Sequence, residues 1–175
     1  MDTVDTKVPA DAAHEVTALY QAHALGLVRL AVIMLGDQGR AEDVVQDAFF
    51  GLYRNWDSLA DTSSALAYVR SSVLNGCRTV LRHRSHGAGL AAAPAAEGPP
   101  LESAEAWVLL GEEHREVLAA IRRLPDRQRE ALVLRYYLEM TADQAAQAMG
   151  VSRGTVKSAT SRAVAAVGRM LREGS

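Results

Sequence analysis

One cysteine, Cys77, stands in a chain of 175 residues. A single thiol excludes an intrachain disulfide and a multi-cysteine zinc site, and it fits a reducing compartment. Long apolar runs are missing as well. The most apolar stretch, LGLVRLAVIML, is broken by Arg29 and is shorter than a bilayer-spanning helix requires. The opening residues, MDTVDTKVPAD, are acidic and lack the basic flank and apolar core of a secretory leader. No leader and no membrane partner are therefore expected. No repeat of solenoid length recurs. A Gly-rich phosphate loop is absent, and so are clustered carboxylates and an arginine-supported serine, so no catalytic residues are assigned. His83 and His86 lie three apart at a helix end among arginines, where phosphate contact or plain solvation is favoured over a metal. No metal and no cofactor are expected.

Acids are missing in a more instructive way. The chain carries a formal net charge of −2. Yet no Asp or Glu occurs from Ser63 to Arg84, or from Ser152 to Arg172. The acids gather instead at Asp2, Asp5 and Asp11, and at Glu97, Glu102, Glu105, Glu112, Glu113 and Glu116. Net charge thus argues against indiscriminate nucleic-acid binding, while charge placement allows two DNA-facing segments.

The residues that are present read as helix throughout, and no strand is convincing. The fold class is all-α: two small helical domains joined by a flexible linker. The linker, 87–104, is rich in Gly and Pro and keeps no apolar periodicity; fully extended it reaches roughly 60 Å. A tail (1–13) and an N-terminal three-to-four-helix domain (14–86) precede it, and a C-terminal domain (105–175) follows. The linker's composition predicts halves that are held loosely in the free protein. In the first half, Val16, Leu19, Tyr20, His23, Leu27, Leu30, Ala31 and Met34 recur at helical spacing up to Gly36, which stops the helix. Further helices are predicted near 40–56 and 64–84, then near 105–123, 126–138, 142–149 and 153–172. Pro125 and Gly150 separate the later ones. Thr141 with Gln144 forms a capping box, and Ser152 is a good N-cap.

On a wheel of the last helix, Val156, Ala159, Ala163, Val167 and Met170 share one stripe about 100° wide. Arg153, Thr155, Lys157, Ser158, Ser161 and Arg162 lie outside it, on a face that is basic, rich in hydroxyls and free of acids. A short helix and a Gly-containing turn come just before, which is the helix-turn-helix pattern. The competing reading is a merely solvated helix face. In the second helix, Asp43, Gln46, Asp47 and Phe50 share a polar face, where Phe50 is either an interface anchor or a core residue. In the third, Ser71, Asn75, Arg78 and Arg82 form a stripe of amide and guanidinium groups suited to base edges and phosphates. Cys77 falls near the apolar side as a small core residue.

The run LPDRQREALVLRYY, followed by a helix-turn-helix that ends GTVKSATSRA, resembles the promoter-binding domain of bacterial RNA polymerase sigma factors. The extracytoplasmic-function (ECF) group is the most similar. AEDVVQDAFFGLYRNW resembles that family's polymerase-gripping helix, and SALAYVRSSVLNGCRTVLRHR resembles its minus-ten helix. The resemblance covers about 14–172. Thr79, Tyr68 and Ala159 replace an acid, a tryptophan and a basic residue common in the family. The resemblance implies core RNA polymerase and promoter DNA as partners, with an anti-sigma factor as a further one, in a bacterial cytoplasm. It assigns polymerase binding to Asp43, Gln46, Asp47 and Phe50. It assigns minus-ten recognition and opening to Ser71, Asn75, Arg78 and Arg82. Minus-thirty-five binding goes to Ser152, Arg153, Thr155, Lys157, Ser158, Ser161 and Arg162. A recombinase-like enzyme and a stand-alone repressor are the competing classes; whether specific DNA binding needs core polymerase separates them.

Overall fold

The computed structural model describes residues 10–59, 61–87 and 114–174. Among them every regular element is helical. Helix α1 spans Ala10–Leu35, α2 Gln38–Arg54 and α3 Ala65–Gly87. In the second half, α4 spans Arg115–Arg122, α5 Asp126–Leu132, α6 Ala142–Met149 and α7 Arg153–Glu173. Apart from Gly87, the predicted linker lies outside the described residues, and so does the part of the helix predicted from 105 that precedes 114.

Local chemistry sets the corners. Gly36 takes a left-handed φ of 68° and ends α1, a backbone region open to Gly at little cost. Asp37 then caps α2, its Oδ1 accepting from the Arg40 amide at 3.0 Å. Arg84 reaches back from α3 and donates to the Leu35 carbonyl at 2.7 Å, satisfying an orphan acceptor at the end of α1. Leu30, Val45, Leu52, Val69, Val73 and Leu74 are almost wholly buried where α1, α2 and α3 meet. By length and composition α1 could cross a bilayer; here its apolar side builds this core instead. Cys77 is fully buried, as the wheel expects.

In the second half the capping box forms as read, with Thr141 and Gln144 each bonding the other's backbone amide. Gly150 ends α6 at a left-handed φ of 64°. Ser152 caps α7, accepting from the Thr155 amide at 3.1 Å. The helix predicted over 126–138 changes character midway: past α5 the chain widens into a π-turn over Val133–Tyr137. There the Leu138 amide reaches back five residues to the Val133 carbonyl at 3.1 Å. The Arg135 guanidinium donates to the Met140 carbonyl across the following bend, where Glu139 holds a φ of 52°.

The expectation of loosely held halves is overturned. One buried cluster runs from Leu27, Leu35 and Leu74 in the first half to Leu118, Leu134 and Met149 in the second. Helix α1 contacts α4, α5 and the π-turn. The Tyr137 hydroxyl donates to the Gly26 carbonyl at 3.1 Å, and Arg78 pairs with Glu130 across the seam. The linker was a poor guide because the contact comes from apolar surface on the folded halves, which holds whatever joins them.

Candidate nucleic-acid interface

Three surfaces carry the predicted site residues. On α2, Val44, Val45, Ala48, Phe49 and Leu52 turn inward, and this leaves Asp43, Gln46, Asp47 and Phe50 together on the outer face. Phe50 is 63% exposed, so it is not a core residue, while its neighbour Phe49 is buried. Phe49 packs edge-to-face on Tyr20 with ring centroids 5.0 Å apart. Phe50 borders an open, mainly apolar groove of about 490 Å³ that Val16, Tyr20 and Tyr53 also line. A solvent-facing ring beside an apolar groove and two carboxylates can anchor a protein partner.

Helix α7 presents the second surface. Val156 and Ala163 are fully buried, with Ala159, Val167 and Met170 partly so. That inward stripe leaves Arg153, Thr155, Lys157, Ser158, Ser161 and Arg162 exposed on one basic face. Ser152 is exposed but engaged as the cap, its Oγ also 2.8 Å from Thr155 Oγ1. Arg153 Nε lies 3.6 Å from Asp143 Oδ1 on α6, a loose pair between exposed side chains. Helix-start amides and unburied cations are together groups that can hold a phosphate. Nothing described lies over this face.

The third surface is built differently. Ser71, Asn75 and Arg82 are exposed on α3. Arg78, in the same stripe, is not free. One of its nitrogens donates to Asn75 Oδ1 at 2.8 Å. The other donates to the Ala148 carbonyl at 3.0 Å and pairs with the Glu130 carboxylate. Glu130 is buried, its side chain only 5% exposed, with Arg129 buried beside it. Arg129 donates to the Arg122 carbonyl at 2.9 Å and to Asp126 at 2.6 Å. Burial pulls the Arg129 guanidinium below its ordinary range, and Asp126 opposes that. Burial, then the Glu130 charge, pushes the Cys77 thiol up to about 12, so it is protonated and a poor nucleophile at neutral pH. A cleft of about 510 Å³ opens along this seam, lined by Asn75, Arg78 and Arg82 on one side and Asp126, Glu130 and Met149 on the other.

Sequence reasoning missed Glu130 and Arg129. Their only signal was two charges in the middle of an apolar helix pattern, and their partners lie on other turns and another domain.

A basic helix presented after a tight Gly turn, with its apolar stripe locked below, defines a helix-turn-helix DNA-binding protein carrying a second all-helical unit. Comparison with known families narrows this. Residues 19–87 match Sigma-70 region 2, and residues 114–167 match Sigma-70, region 4. The chain is 31% identical over 142 residues to the RNA polymerase sigma-E factor of Streptomyces avermitilis, covering 79% of this chain and 75% of that protein. It is 30% identical over 154 residues to the ECF RNA polymerase sigma factor SigM of Mycobacterium tuberculosis, covering 87% and 75%. Among solved structures, the sigma factor RpoE in complex with the anti-sigma factor NepR from Bartonella quintana shares the fold with a TM-score of 0.69, at 23% identity over 94% of this chain and 98% of that one. CnrH in complex with the cytosolic domain of CnrY does so with a TM-score of 0.67, at 22% identity over 94% and 96%. The chain belongs to the RNA polymerase sigma factors, in their extracytoplasmic-function group. It directs promoter-specific initiation of transcription through core RNA polymerase and promoter DNA.

Proposed function

We propose a division of that work among the three surfaces. The outer face of α2 (Asp43, Gln46, Asp47, Phe50) binds core polymerase. The α3 stripe (Ser71, Asn75, Arg78, Arg82) captures unpaired minus-ten bases. On α7, Ser152, Arg153, Thr155, Lys157, Ser158, Ser161 and Arg162 hold the minus-thirty-five duplex. The working units are 14–86 and 105–175, linked through 87–104, with 1–13 as a tail. Asn75 offers a donor and an acceptor to a base edge, while the guanidiniums hold phosphate. Capturing a base needs it unstacked, which costs on the order of a few kcal/mol; binding the single strand offsets that cost. The protein acts as a regulator without catalytic residues, in the bacterial cytoplasm. An anti-sigma factor fits as a further partner, as for the two solved relatives named above.

The observation that carries this reading is the exposure of Phe50 on a helix whose other aromatic, Phe49, is buried. Co-purification with core polymerase tests it. Phe50→Ala combined with Asp47→Ala should cost about 2 kcal/mol or more in holoenzyme assembly at an interface anchor, with helical content unchanged. Unchanged assembly would remove α2 from the polymerase interface.

A further inference from the structure

The cleft along the seam holds about 510 Å³, which lies within the roughly 300–1,000 Å³ of small-molecule sites. We propose that it is a site for a nucleoside monophosphate, with the phosphate between Arg82 and Arg127 and the base on Met34, Leu81 and Met149. The site goes beyond the three surfaces assigned above, because it needs residues from both halves of the chain.

Three features of the lining select that ligand. The first is the charge left over. Arg78 pairs with Glu130 and Arg129 with Asp126, so both carboxylates of the cleft already have a cation. Arg82 and Arg127 are exposed at its rim, and among the described residues neither has a carboxylate partner. Arg82 makes only a 3.4 Å contact with Thr79 Oγ1. Two guanidiniums without counter-ions suit a dianion, and their forked donors match phosphate oxygens. The second feature is the floor. Met34 and Met149 are buried and Leu81 is partly so. Thioethers pack well against aromatic rings, so a base covers this floor where a bare anion would leave it wet. The third is Asn75. Its Oδ1 accepts from Arg78 at 2.8 Å, which leaves the amide NH2 to donate to a ring nitrogen or carbonyl. An aromatic body, an acceptor edge and a doubly charged end together describe a nucleotide.

Isothermal titration of the full chain with AMP tests the site. Binding should be one to one. Adenosine and inorganic phosphate each carry part of the ligand, and each should bind at least about tenfold more weakly. Arg127→Ala and Arg82→Ala should each lower AMP affinity about tenfold or more, as the loss of a charge-assisted hydrogen bond does. Both side chains are exposed, so circular dichroism should not change. No AMP binding at millimolar concentration overturns the site. Phosphate bound as tightly as AMP overturns the nucleotide as its ligand. AMP affinity lost with Arg82→Ala but kept with Arg127→Ala overturns the cleft, because the ligand then uses α3 alone, as minus-ten DNA is proposed to do.

Discussion

The two helices proposed to read DNA make opposite use of their surroundings. Helix α7 is supported from one side and open on the other: Val156 and Ala163 face inward, and the basic residues face solvent. Helix α3 is supported from one side by Val69, Val73, Leu74 and Cys77, and part of its reading stripe is then tied to the other half through Arg78. A helix whose function is settled within its own turn and cap can be read from a short window. One whose function depends on a residue 52 positions away cannot.

The largest test of this contrast strikes the scaffold under α3. Leu74 is almost fully buried. Leu74→Ala should destabilise the protein by about 2–5 kcal/mol in a urea titration, because a cavity remains where the side chain was. Minus-ten capture should suffer most. Equal loss of duplex minus-thirty-five binding by α7 at a temperature where the protein stays folded would break the contrast. A smaller effect is expected at Lys157, which is exposed on the open face. Lys157→Ala should weaken duplex promoter binding and reduce the slope of log affinity against log salt by about 1, the mark of one lost phosphate contact. An unchanged slope would return the α7 face to ordinary solvated helix. The smallest effect at neutral pH concerns Cys77 on the buried side of α3. Its folded pKa is raised to about 12 from 9.0. Its contribution to stability is therefore intact below pH 9 and falls as pH rises through the folded value, because the unfolded chain releases the proton first. Iodoacetamide should modify Cys77 slowly in the native protein at pH 8 and quickly in urea. Fast native alkylation would mean that the core under α3 opens locally.

Much of the fold was legible because it is written in neighbours. Gly36, Thr141 with Gln144, and Gly150 before Ser152 each fix a helix end within a few residues, and each does so in the structure, whereas the Asp37 cap that starts α2 ahead of the predicted 40 was not read. The inward stripes of α2 and α7 follow from spacing alone. What escaped was written at long range or in departures from regular geometry. The π-turn at Val133–Tyr137 breaks the 3.6-residue period that would announce it. The docking of the halves depends on apolar faces that each already look spent on a local core. For the same reason Arg129 and Glu130 resembled ordinary surface charges.

The six residues from Arg129 to Leu134 are all buried. Successive helical positions turn by about 100°, so six in a row sweep every side of the rod. This segment is an axle through the middle of the molecule rather than a face of it. Most helices have a neutral side on which substitutions can drift. This one has none, so variation reaching any of its positions disturbs buried contacts. The exposed basic positions of α7 carry no such restraint. With α7 assigned to promoter DNA as proposed, a taste for a new promoter can be acquired at the rim while the axle stays as it is, and divergence among descendants of this chain should be slowest from 129 to 134.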